Sequence, residues 1–205
     1  MSSLRVSNVE TLNLVQRTGG GAVTIQNGTT LSTSTPQAFS SPTQVVQVRY
    51  FRTDVRTTYS ASQSGNGNRM TDIALTITPK FPTSLLLAQW MINGEVHNDV
   101  NFVLHRDNEL ITTAGYTGYN SQSGNSRWSG IASGYYDQNQ DSTPSNWFIQ
   151  FAVPAVTISP TVLSLAVRGS SAADYTFALN RTLSSSGQDS YETGISTGTI
   201  WEIAQ

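Results

Sequence analysis

The two histidines of this 205-residue chain stand among carboxylates at spacings that could hold a metal. Glu95, His97 and Asp99 alternate, so a strand would carry all three on one face. His105, Asp107 and Glu109 repeat the pattern. Nitrogen and oxygen ligands so spaced suit a divalent cation. The first trio, however, follows Asn93-Gly94, a turn signal, and so reads as a connection. The second straddles an expected hairpin tip at Asp107-Asn108, where polar residues belong anyway. Asp137-Gln138-Asn139-Gln140-Asp141 places oxygen side chains at positions one, three and five of a calcium loop. Ser142 then stands where that loop needs Gly, and Phe148 where it needs a bidentate Glu. A polar loop is the better account, and no metal is expected.

Other chemistries find less. A hydrolytic serine needs a base, an orienting acid and usually a strained turn. No Gly-x-Ser-x-Gly occurs, and His97 and His105 are the only histidine bases. Thirteen scattered acids single out no pair for glycoside cleavage. Gly19-Gly20-Gly21 precedes a strand-like run, with no Lys-Ser/Thr after it, so it is no phosphate loop. The absence of cysteine removes disulfides, thiolate zinc sites and a cysteine nucleophile. A net charge of −2 leaves no electrostatic footprint for nucleic acid. No run reaches membrane-spanning length, and Met1-Ser2-Ser3-Leu4-Arg5-Val6 lacks a signal-peptide pattern. A protein made in a cytoplasm, with no catalytic residues and no cofactor, is the expectation.

The aromatic residues cluster. Tyr116, Tyr119, Trp128, Tyr135, Tyr136 and Trp147 surround two long polar stretches, 112–127 and 137–146. Rings beside Asn and Asp can stack on sugars while their neighbours bind hydroxyls. Tyr116, Tyr119, Trp128, Tyr135, Tyr136, Asp137, Asn139 and Asp141 are therefore the candidate ligand contacts. The competing reading has Trp128 and Trp147 opening strands and pointing inward.

Whatever these residues do, strands must position them. Ile73, Leu75 and Ile77 alternate with Ala74, Thr76 and Thr78. Leu85-Leu86-Leu87-Ala88 leads into Trp90-Met91-Ile92, and Asn93-Gly94 is expected to stop the run. Strand-length runs are predicted at Val45–Tyr59 (long, bent in the middle), Met70–Thr78, Ser84–Ile92, Val100–Arg106, Trp128–Tyr136, Trp147–Val153, Val162–Val167, Tyr175–Leu179 and Ile195–Ile203. No helical periodicity separates them. Only 12% of residues are charged, and Ser, Thr, Asn and Gln fill the gap, as suits strands and turns. The fold class is all-β: a jelly-roll-like antiparallel β-sandwich of about eight or nine strands over residues 44–205. Residues 1–43 hold short alternating pieces and a Ser/Thr/Pro stretch, too little apolar matter to fold alone. They read as an extended N-terminal arm that takes its order from a partner.

Three segments carry a resemblance. Leu75 to Leu87 (Leu-Thr-Ile-Thr-Pro-Lys-Phe-Pro-Thr-Ser-Leu-Leu-Leu) with Asn93-Gly94, then Phe102 to Leu110, then Thr197 to Ala204, resemble the small β-domains of tailed-phage virion proteins. These occur in tail fibres, head fibres and capsid decoration (cement) proteins of phages infecting cyanobacteria and other aquatic bacteria. The resemblance covers the body well and residues 1–43 loosely. It implies a non-enzymatic homotrimer on the virion surface, bound to the major capsid protein or another virion protein through its arm. The alternative is a tail-fibre or receptor-binding tip that grips host surface glycans through the long loops.

Overall fold

In the segment where alternation is cleanest, Leu75 and Ile77 are buried and Thr76 between them is exposed. The computed structural model describes residues 43–61, 66–111, 130–134, 143–169, 175–184 and 192–205. Its strands are β1 Val45–Thr53, β2 Thr57–Ala61, β3 Asn68–Arg69, β4 Leu75–Ile77, β5 Leu85–Val96, β6 Val100–Arg106, β7 Glu109–Leu110, β8 Ala132–Gly134, β9 Ser145–Pro154, β10 Thr161–Gly169, β11 Tyr175–Leu179 and β12 Ser196–Ile203. They form two six-stranded sheets, and every pairing is antiparallel.

The register shows that four pairs of short strands are single strands interrupted. β3 and β4 both pair with one edge of β10, and β6 takes the other edge. β7 and β8 share the free edge of β6. β11 and β12 share the edge of β5 that faces away from β9. β1 and β2 lie outside β12 and β11 respectively. Counting each interrupted pair once leaves eight strands, in the orders β1/β2–β11/β12–β5–β9 and β3/β4–β10–β6–β7/β8. That is the strand order of a jelly roll. The sequence expectation of a β-sandwich holds.

The core is where the two inner faces meet. Leu86, Ala88, Trp90 and Ile92 of β5 are fully buried and pack among Phe102 of β6 and Leu163, Leu165 and Val167 of β10. Trp90 spans the gap. Its Nε1 donates to the Ile73 carbonyl at 2.9 Å, on the 3-10 turn Thr71–Ile73 that interrupts the β3/β4 strand. A buried indole without a partner would carry a desolvation cost, so this bond is what admits Trp90 to the centre. Deleting a side chain of that size from a core costs about 3–5 kcal/mol. Trp147, Phe102 and Phe177 form a second knot, with ring centroids 5.7–6.0 Å apart. Trp147 thus points inward.

The two ends of the sandwich differ. Val45, Leu85, Ile203, Pro154 and Thr161 mark one end, where Thr43 N–H donates to the Ala204 carbonyl at 2.8 Å. Val96, Val100, Gly134, Gly169 and Tyr175 mark the other. The segments following β2, β8 and β10 all leave from that second end. The expected arm, residues 1–43, lies outside the described residues except for Thr43.

One local expectation needs correction. Asn93-Gly94 does not stop its strand: both residues lie inside β5, which runs on to Val96. Gly94 is there for closeness, since a Cβ would sit 2.3 Å from the Ala178 carbonyl oxygen of the adjoining β11. The long first strand is bent as expected, but its break at residues 54–56 is held by a distant residue. Asn180 Nδ2 donates to the carbonyls of Thr53 (3.2 Å) and Val55 (2.9 Å).

Candidate functional site

The eight residues singled out as ligand contacts, Tyr116, Tyr119, Trp128, Tyr135, Tyr136, Asp137, Asn139 and Asp141, all lie outside the described residues. The roots of their loops are described. Ile111 N–H donates to the Leu104 carbonyl and Ile131 N–H to the Phe102 carbonyl, so both roots of the first loop lie on the free edge of β6. Gly134 pairs with Val100 and Ser145 with Gly94, so the segment between them leaves from the second end of the sandwich.

The two histidine–carboxylate trios do not assemble into sites. Glu95 belongs to β5 and is 3% exposed. Its Oε1 accepts from Thr143 N–H at 3.0 Å and its Oε2 from Leu183 N–H at 2.6 Å. The carboxylate therefore clasps two chain segments, one entering β9 and one leaving β11. It is not part of a connection, as the sequence reading had it; the turn begins only at His97. Asp99 is exposed in that turn, with its N–H on Asn98 Oδ1 at 2.7 Å. Among the described residues no cluster of His, Asp and Glu could hold a metal ion.

His105 is buried on the outer side of β6. Its Nε2 lies 2.8 Å from the Asn66 carbonyl and so carries the proton in the assigned tautomer, while Nδ1 is buried with no hydrogen-bond partner. Burial holds its pKa below the usual histidine value, and the guanidinium groups of Arg69 and Arg168 press it further down. Asp107 adopts a positive φ of 55° at the hairpin tip, as the Asp107-Asn108 reading expects. Its Oδ1 accepts from Val162 N–H at 2.9 Å. Both residues of this trio are tied into turns, and Glu109 is exposed.

A third carboxylate escaped the sequence reading. Glu202 is fully buried on the inner face of β12. Its Oε1 accepts from Lys80 N–H (2.7 Å), Phe81 N–H (3.0 Å) and the Ser84 hydroxyl (2.8 Å). Its Oε2 accepts from Gln47 Nε2 at 2.6 Å. Consecutive backbone N–H groups around one anion make a nest, here closing the Pro79–Ser84 turn onto the last strand. No residue spacing announces it, because two of its four donors are main chain. A neutral network lies near the other end. Asn180, at φ 56°, accepts from the Ser196 hydroxyl at 2.6 Å, and Ser196 Oγ accepts from Asn93 N–H at 3.0 Å. Asn93 Nδ2 then donates to Asn146 Oδ1 at 3.0 Å. Four strands converge there, and within the network Asn93 Oδ1 is buried without a hydrogen-bond partner.

Glu95, Asp107 and Glu202 thus each hold a turn or a strand junction, while Asp99 and Glu109 are exposed. No family model matches the chain, and no curated protein matches it. Among solved structures it is similar to the VP2 subviral particle of infectious bursal disease virus, at 11% identity and a TM-score of 0.30. It is also similar to infectious bursal disease virus of the Gx strain, at 13% identity and the same TM-score. Each alignment covers 78% of this chain and 38% of the other. The jelly-roll assignment rests on the strand order itself.

Proposed function

We propose that this chain is a structural protein of a phage particle surface: a trimeric, non-enzymatic capsid decoration protein of the cement or head-fibre kind. Residues 1–43 attach it to the major capsid protein or another virion protein, and the sandwich projects. The observation that carries this reading is the polarity of the body. Thr43 and Ala204 are hydrogen-bonded at one end, and the loop roots at residues 61, 134 and 169 gather at the opposite end. A segment that joins the body at Thr43 enters it at the end away from those loop roots. The engagement of Glu95, His105, Asp107 and Glu202 in holding the frame supports a passive scaffold.

The gathering of loop roots also favours a second reading, a tail-fibre or receptor-binding tip that binds host surface glycans. Gold-labelled antibody on purified particles separates the two. Labels over the head are the expected result. Labels at the tail tip support the second reading, and unlabelled particles refute both.

A further inference from the structure

The nine large apolar side chains exposed among the described residues all belong to the first sheet or to segments leaving its ends. The second sheet contributes none. An outward sheet face on a free-standing sandwich is normally polar. Here the outward rows read otherwise. Val48, Trp201, Leu87 and Ala152 lie abreast across β1, β12, β5 and β9. Two rows further on, Met91 and Phe148 stand side by side, and Phe148 is 66% exposed. Tyr50, in the row between, is 64% exposed. That middle row is neutral, with Trp201 Nε1 donating to Gln89 Oε1 and Gln89 Nε2 donating to Gln150 Oε1. Arg52 is the one charged side chain in these registered rows.

We propose that this face is where copies of the chain meet, three such faces closing around a common axis. The inference rests on the trimer proposed above, but not on its place in the particle. The face is four strands broad, which fits the surface of another folded chain and not a single peptide strand. It carries almost no charge, so identical faces brought together do not repel. Four strands about 4.8 Å apart, registered over seven residues of about 3.4 Å each, give a flat footprint of roughly 450 Å². Side-chain relief enlarges that area. The footprint alone is over half of the roughly 800 Å² per partner of a standard interface. Left bare, a patch of this size is an aggregation hazard.

The test uses the full chain and two variants, Tyr50→Glu with Phe148→Glu on this face, and Thr76→Glu on the second sheet as control. Sedimentation equilibrium gives the mass, and near-ultraviolet circular dichroism reports folding. Both face positions are mainly exposed within one chain, so the double variant keeps its core. A wild-type and control trimer, with a folded double variant at the mass of one chain, is the expected result. A double variant that remains trimeric, or a wild-type chain that is monomeric or dimeric, overturns the inference. Gold labelling tests location separately: unlabelled particles sink the virion role and leave this interface standing.

Discussion

Replacing Glu202 by Ala should cost more than almost any other single polar substitution in the described body. The carboxylate accepts four hydrogen bonds: from Lys80 N–H, Phe81 N–H and the Ser84 hydroxyl on one oxygen, and from Gln47 on the other. Phe81 and Ser84 are buried, so water does not simply take over. A buried donor left without an acceptor costs about 1–3 kcal/mol. Gln47 and Lys80 sit nearer solvent and lose less. The sum is about 4 kcal/mol, a large part of the roughly 5–15 kcal/mol that holds a domain together. For a chain of this length that corresponds to a Tm lower by roughly 8–16 °C. Glu202→Gln keeps one oxygen for the turn but points an amide N–H₂ at Gln47 Nε2. Gln47 cannot simply flip, because the same nitrogen donates to the Thr78 carbonyl at 2.7 Å. That variant should fall between, at about 1–3 kcal/mol. Urea unfolding of wild type, Glu202→Gln and Glu202→Ala gives the order and the sizes, with an unchanged m-value showing that only stability moved. A Glu202→Ala protein within 1 kcal/mol of wild type would refute the reasoning, since the turn would then hold without the nest.

Gly94→Ala should destabilise by about 1–3 kcal/mol or more, because its new Cβ would collide with the Ala178 carbonyl oxygen in a paired strand. A urea midpoint equal to wild type would contradict the close approach. Tyr59 is the alkaline weak point. Burial first, then its hydrogen bond to Asp72 Oδ2 at 2.7 Å, pushes its pKa up to about 12. The folded state therefore holds a proton that the unfolded chain releases near pH 10, and stability is full below about pH 10 and lost as pH rises toward 12. Stability measured across pH 9–12 should fall more steeply in wild type than in Tyr59→Phe, and parallel profiles would count against it.

Much of the frame was legible because strand burial writes itself into alternation and into turn residues. Val100–Arg106 and Tyr175–Leu179 have the bounds that their apolar runs predict, each ended by polar or glycine-rich sequence. Legibility failed where the partner of a residue is far away in sequence or is main chain. Asn93-Gly94 carries the composition of a turn, yet the pairings with β9 and β11 keep it extended. Two-residue strands such as β3 and β7 are too short to show any period. Glu95 read as part of a connection and Glu202 as a scattered acid because their partners, Thr143, Leu183, Lys80 and Phe81, offer backbone N–H groups that any residue but proline would supply. The outer apolar face was not legible in the sequence, because Leu87 and Met91 share it with Trp201 and Phe148 only once those residues fall into register beside β5.

The excursion between β11 and β12 has a consequence for how such a body diversifies. Leu179 leaves the edge of β5 opposite Gly94, and Thr197 rejoins that edge opposite Met91. Departure and return are thus neighbouring rungs of one ladder, secured by Asn180 and Ser196. Whatever length or composition evolution threads between those two anchors, the rungs themselves need not move, so this is a docking port for new sequence in a sandwich that stays unchanged.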